Sequence, residues 1–68
     1  MERERQEAVI EAVLFTMGES VSLNKLAELI EETPSATRKI IEKMQEDLQA
    51  SNRGISIVEF EDAFQMCT

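Results

Sequence analysis

A mostly α-helical domain, three helices closed by a small β-hairpin, is the fold class that this 68-residue sequence predicts. Three observations predict it. Apolar residues recur at helical spacing through the first 50 residues, with two interruptions. The interruptions, GESVS and EETPS, carry helix stop and start signals. Beyond Gly54 the apolar period changes from helical to alternating, and GISIVEF and AFQMCT flank Glu61-Asp62 as the strands of a hairpin.

The first helix is expected over residues 2–17, with Ile10, Val13, Leu14 and Met17 on one apolar face. Gly18 follows where a left-handed terminal residue is wanted, a conformation open to glycine because it lacks a Cβ. Val21 is a single extended residue able to pair with a later strand. Ser22 reads as the N-cap of the second helix, its hydroxyl accepting from a free N–H of the first turn. Leu23, Leu26, Ala27 and Ile30 mark that helix's buried face.

Thr33-Pro34 is the clearest start signal: an N-cap followed by proline at the first helical position, where no N–H is needed. The third helix is expected to reach about Ala50, with Thr37, Ile40, Ile41, Met44 and Leu48 inward, and Ser51-Asn52-Arg53-Gly54 ending it. In the hairpin, a two-residue loop sets Ile57 opposite Met66 and Glu59 opposite Phe64. Ile55, Ile57, Phe64 and Met66 then share the buried face. Glu-Asp lacks the glycine that tight hairpin loops favour, which leaves loop type and register open. Three helices, a short strand after the first, and a terminal hairpin make the layout of a winged helix-turn-helix.

Composition narrows the function. A chain this short buries only about 60% of its unfolded surface, so help from a partner or from more chain is expected. Cys67 is the only cysteine and histidine is absent, so there is no internal disulfide and no ordinary zinc ligand set. A lone thiol fits a reducing cytosol. The N-terminus MERERQEA does not lead into an apolar signal core, and no apolar run approaches a membrane span. The carboxylates are spaced as solvated helix surface, and no glycine-rich phosphate loop or nucleophile–base pair accompanies them. Neither an enzyme nor a cofactor is expected.

The fold raises the question of DNA, because the third helix of such domains commonly enters the major groove. Its outward positions are Ser35, Arg38, Lys39, Glu42, Gln45, Glu46 and Gln49, where two cations face two carboxylates. Arg38 to Glu42 and Lys43 to Asp47 stand at i,i+4 spacing, which gives those cations local partners. At the wing, Glu59, Glu61 and Asp62 oppose phosphate, and Arg53 is the one cation beside them. With a formal net charge of −7, the chain is expected to avoid nucleic acid and anionic membranes. The alternative is a winged-helix transcription regulator whose dimer assembles a DNA surface that one chain does not display.

Two sets of residues exceed what one core face needs. Ala8, Ala12 and Phe15 lie on the side of the first helix opposite Val13: an interface for another helix, or a flank covered by the chain itself. Val58 and Phe60 point outward by strand alternation, either to anchor a partner or, should a bulge shift the register, to fold over the core edge. Cys67 would share that outer face, with nothing to activate its thiol.

The ordered combination of IEAVLFTMGESVSLNKLAELI, a Thr-initiated helix and RGISIVEFEDAFQMCT resembles the N-terminal domain of the segregation and condensation protein B (ScpB) family. Ile10, Glu11, Ala12, Leu14, Phe15, Gly18, Ser22, Leu26 and Ala27 occupy the first part of that pattern. Arg53, Gly54, Ile55, Ile57, Phe64, Met66 and Thr68 occupy the second. The sequence departs from it at Ser20, where proline is common, and at Phe64, where tyrosine is common. The resemblance implies a non-enzymatic bacterial subunit of the SMC–kleisin complex. It implies a homodimer that binds the kleisin ScpA and, through it, the SMC ATPase. It also implies a cytoplasmic, nucleoid-associated location and a two-domain parent protein, of which residues 1–68 would be the first domain.

Overall fold

The computed structural model describes residues 1–52 and 54–68. Its elements follow the expected order: α1 (Arg3–Met17), β1 (Val21–Ser22), α2 (Leu23–Leu29), α3 (Pro34–Ser51), β2 (Ser56–Phe60) and β3 (Ala63–Cys67). The three strands form an antiparallel sheet in the order β1-β3-β2, so the last strand lies between the two earlier ones. Three helices packed on this sheet, with the β2–β3 hairpin as wing, are a winged-helix fold.

Local chemistry sets each boundary. Gly18 sits at φ 66 and donates its N–H to the Leu14 carbonyl, which closes α1. Ser22 accepts from the Lys25 N–H at 3.1 Å and Thr33 from the Ala36 N–H at 3.1 Å, so both expected N-caps form. At the end of α2, Glu31 adopts φ 60, its N–H bonds to Glu28 and the Glu32 N–H reaches back to Ala27. That pair of bonds is a Schellman closure built without glycine. Asn52 ends α3 in the left-handed region at φ 55.

Ile10, Leu14, Leu26, Ile30, Ile41 and Phe64 form the centre of the core, with Val21, Leu23, Ile40, Met44 and Ile57 around them. Val9, Val13, Leu48 and Met66 pack against its margin. Thr37 is fully buried among them, and its hydroxyl donates to the Thr33 carbonyl at 2.8 Å, so no polar group is stranded there. Met17 departs from expectation: it is 52% exposed rather than part of the buried face. The buried stripe of α1 runs through Gln6, Ile10 and Leu14, and the helix stops before another turn could carry it onward.

The hairpin has the expected register, with Ile57 opposite Met66 and Glu59 opposite Phe64. Glu61 and Asp62 take φ 50 and φ 61, the two positive angles that a type I′ turn requires. Two contacts hold this glycine-free loop in place. The Leu23 N–H donates to the Asp62 carbonyl at 2.8 Å, and the Asp62 carboxylate accepts from Arg38 at 2.9 Å.

Candidate interaction surfaces

The wing reaches the outward face of α3 at Arg38 and Gln45, while Ser35, Lys39, Glu42, Glu46 and Gln49 stay exposed. Arg38 Nη1 donates to Glu59 Oε2 at 2.7 Å and Nη2 to Asp62 Oδ1 at 2.9 Å, while its guanidinium carbon lies 5.7 Å from the centre of the Phe64 ring. The hydrogen bond that it donates to Glu59 holds the guanidinium above the ordinary arginine range. Two turns further on, Gln45 Nε2 donates to the Ile57 carbonyl at 2.8 Å. These contacts correct the expected Arg38–Glu42 pair. Two carboxylates and an aromatic face across the wing offer the planar guanidinium more than one carboxylate on its own helix. Lys43 does take its expected i,i+4 partner, Asp47, at 2.7 Å, and that hydrogen bond raises its pKa above the usual lysine range.

A phosphate backbone would therefore meet an arginine already committed to two carboxylates. Of the three wing carboxylates, Glu59 and Asp62 share the single charge of Arg38, so with Glu61 these four groups stay net negative. The expected place of Arg53 beside the wing lies outside the described residues. Among the described residues there is no cluster of three or more metal-ligating side chains, and no helix is long and apolar enough to cross a membrane.

The apolar residues singled out in the sequence form two separate patches. Ala8 and Ala12 are exposed on α1, and Phe15 is 75% exposed one turn further on. Ala12, Val13, Thr16 and Met17 line a shallow hollow of about 250 Å³ beside it. Phe15 also borders a second hollow of about 190 Å³, with Leu14, Gly18, Ile55, Met66 and Thr68. The chain's own elements leave this flank open. Val58 and Phe60 leave the outer face of β2 with 42% and 69% of their surface exposed. The ladder pairs Phe60 with Ala63 without a bulge, so neither side chain turns back over the core.

Two features carried little sequence signal. Gln6 is 4% exposed, and its Nε2 donates to the Ile30 carbonyl at 3.2 Å and to Glu32 Oε2 at 3.1 Å, tying α1 to the end of α2. Its place four residues before Ile10, on the buried stripe, was the only cue. The other is a groove of about 280 Å³ where α1, the C-terminal half of α3 and β3 meet, lined by Glu7, Glu11, Met44, Asp47, Leu48, Ser51 and Met66.

Comparison with known proteins places the chain in a family. The model of the segregation and condensation complex subunit ScpB matches residues 8–68. Segregation and condensation protein B of Lachnoclostridium phytofermentans is 44% identical over 68 residues, covering 100% of this chain and 36% of that protein. The chain thus spans about a third of the length of the curated relatives it matches. A solved dimer of an ScpB N-terminal domain complexed with an ScpA peptide is similar with a TM-score of 0.87 and 32% identity, over 96% of this chain and 82% of that one. ScpB from Mycobacterium tuberculosis has a TM-score of 0.91 over 100% of this chain and 42% of that one, at 20% identity, a likeness of fold alone.

Proposed function

The chain belongs to the family of the segregation and condensation complex subunit ScpB, and from that premise we propose that it acts in chromosome condensation and segregation as a non-enzymatic adaptor. It pairs with a second copy of itself, binds the kleisin ScpA, and through the kleisin joins the SMC ATPase. One observation carries this reading. The chain matches, over 96% of its length, a protein solved as a dimer with an ScpA peptide. Two features on its own surface support it. Phe15 stands 75% exposed beside Ala8 and Ala12, small residues that let a second helix approach closely. The only arginine on α3 is committed to the wing.

We assign self-association to Ala8, Ala12 and Phe15 on α1, and a second contact to Val58 and Phe60 on the wing. Sedimentation equilibrium tests the first: wild-type chain should sediment as a dimer at high concentration and Phe15→Glu as a monomer. A monomeric wild type, or an unchanged dimer in the variant, removes the assignment. ScpA binding measured on the same samples, with Phe60→Ser as the variant, tests the second. A generic DNA duplex should show no salt-dependent mobility shift at physiological ionic strength, whereas the regulator reading requires one.

A further inference from the structure

The strand β2 lies at an edge of the sheet. The order β1-β3-β2 pairs one of its sides with β3 and leaves the other facing out of the sheet. The register tells which backbone groups look that way. The two-residue loop makes Phe60 and Ala63 the hydrogen-bonded closing pair, and such pairs alternate along an antiparallel ladder. Ser56 and Val58 therefore bond to β3, while Ile57 and Glu59 turn their N–H and C=O groups outward. The opposite edge, β1, is only two residues long and offers little to pair with.

The segment at this edge, ISIVEF over residues 55–60, is rich in β-branched and aromatic side chains, carries one charge and has no proline. A strand of that composition with open backbone groups is a template for another strand. In the folded chain α3 covers it. Gln45 donates its side-chain amide to the Ile57 carbonyl at 2.8 Å, as the N–H of a neighbouring strand would. Two turns earlier on the same helix, Arg38 holds the Glu59 carboxylate at 2.7 Å and draws the strand's far end against α3. Among the described residues, no backbone group from outside the hairpin bonds to Ile57 or Glu59.

We propose that Gln45, backed by the Arg38 clamp on Glu59, guards a strand-pairing edge whose occupant, once the guard is withdrawn, is β2 of a second copy of the chain. Antiparallel pairing about a two-fold axis at Val58 sets Ile57 of each copy opposite Glu59 of the other. That register satisfies all the outward groups of both strands and places each Val58 across from its counterpart. The contact is isologous, as is the one assigned to Phe15 on α1. A chain with two separate isologous faces does not stop at a dimer but runs on as an open row, so closing this edge keeps the assembly finite. Only that consequence rests on the adaptor reading; the guarded edge stands on topology and hydrogen bonding.

The test uses the whole chain with Cys67→Ser, so that Val58→Cys supplies the one thiol. Cα atoms of such a non-hydrogen-bonded pair stand about 4.5 Å apart, within disulfide reach. In a glutathione redox buffer, disulfide-linked dimers should form about tenfold faster when Gln45→Ala is added, the change that one lost hydrogen bond makes in an opening equilibrium. Adding Arg38→Ala with Glu59→Gln, which removes one charge of each sign, should speed them further. Phe60→Cys in place of Val58→Cys lies off the axis and should show no acceleration. Circular dichroism confirms folding, and Gln45→Leu, which loses the donor but keeps the bulk, replaces an alanine variant that does not fold. Equal rates with and without Gln45, or equal acceleration at Val58→Cys and Phe60→Cys, overturn the proposal. The acceleration should survive Phe15→Glu; its loss there overturns the edge assignment. A dimer that persists in Phe15→Glu beside an accelerated disulfide removes the α1 assignment and leaves the guarded edge standing.

Discussion

Gln6 shows how much one buried polar side chain can carry in so small a domain. Its amide satisfies the Ile30 carbonyl at the end of α2, a group otherwise cut off from water. Removing one partner of a buried hydrogen bond costs about 1–3 kcal/mol, because the other is left desolvated. Gln6→Ala should therefore lower unfolding free energy by about that amount in a urea titration, a large fraction of what a short chain has. Gly18 makes a different prediction. A Cβ built there meets nothing within 4 Å, so the penalty of Gly18→Ala is the left-handed φ of 66 alone. That strain is worth about 1 kcal/mol, and the midpoint should fall without a change in m-value. The two residues differ in legibility. Gly18 announced itself, because a glycine after an amphipathic run has one common use. Gln6 did not, because a glutamine on α1 reads as solvated surface until the end of α2 is brought over it.

The helices and the hairpin were legible because each is specified by its own residues. The caps at Ser22 and Thr33, the proline at Pro34 and the alternation after Gly54 are local signals, and all of them act as expected. The clamp between α3 and the wing was not legible, because it joins residues 21 and 24 apart in sequence. Spacing alone assigns Arg38 to Glu42; only the folded hairpin brings Glu59 and Asp62 within its fork. Arg38→Ala should leave helix content unchanged and speed amide exchange in β2 and β3 several-fold, with the Gln45 hydrogen bond and the core packing still tying α3 to the hairpin. Arg38→Lys should restore little of the protection, since an ammonium cannot bridge two carboxylates and stack on Phe64 together. The pH dependence follows from the upward shift. A group held protonated above its unfolded range stabilises the fold fully below that range and stops doing so only as pH climbs through the folded value. Protection of the wing should thus be flat against arginine titration from neutral to moderately alkaline pH.

The whole molecule sets a size against a surface. Its core is continuous but draws on few large side chains, and Phe15, Phe60 and Val58 remain outside it. Exposed apolar area on a marginal domain is a disadvantage to a solitary protein and a source of stability to one that associates. Stability should accordingly depend on concentration. For a dimer that unfolds to two free chains, each tenfold rise in protein concentration adds about 1.4 kcal/mol of apparent stability. At about 2 cal/mol/K of unfolding entropy per residue, that corresponds to about 5 °C in Tm for two chains of this length. Scanning calorimetry over a hundredfold concentration range should show this slope for the wild type. Phe15→Glu should show none and should melt where the dilute wild type does, because the substituted side chain touches no core residue's place in the monomer. A wild type whose Tm ignores concentration would mean that the α1 flank is ordinary surface. A sloping Tm that survives Phe15→Glu would move the self-association to another face, with the wing residues Val58 and Phe60 the first to exchange for polar ones.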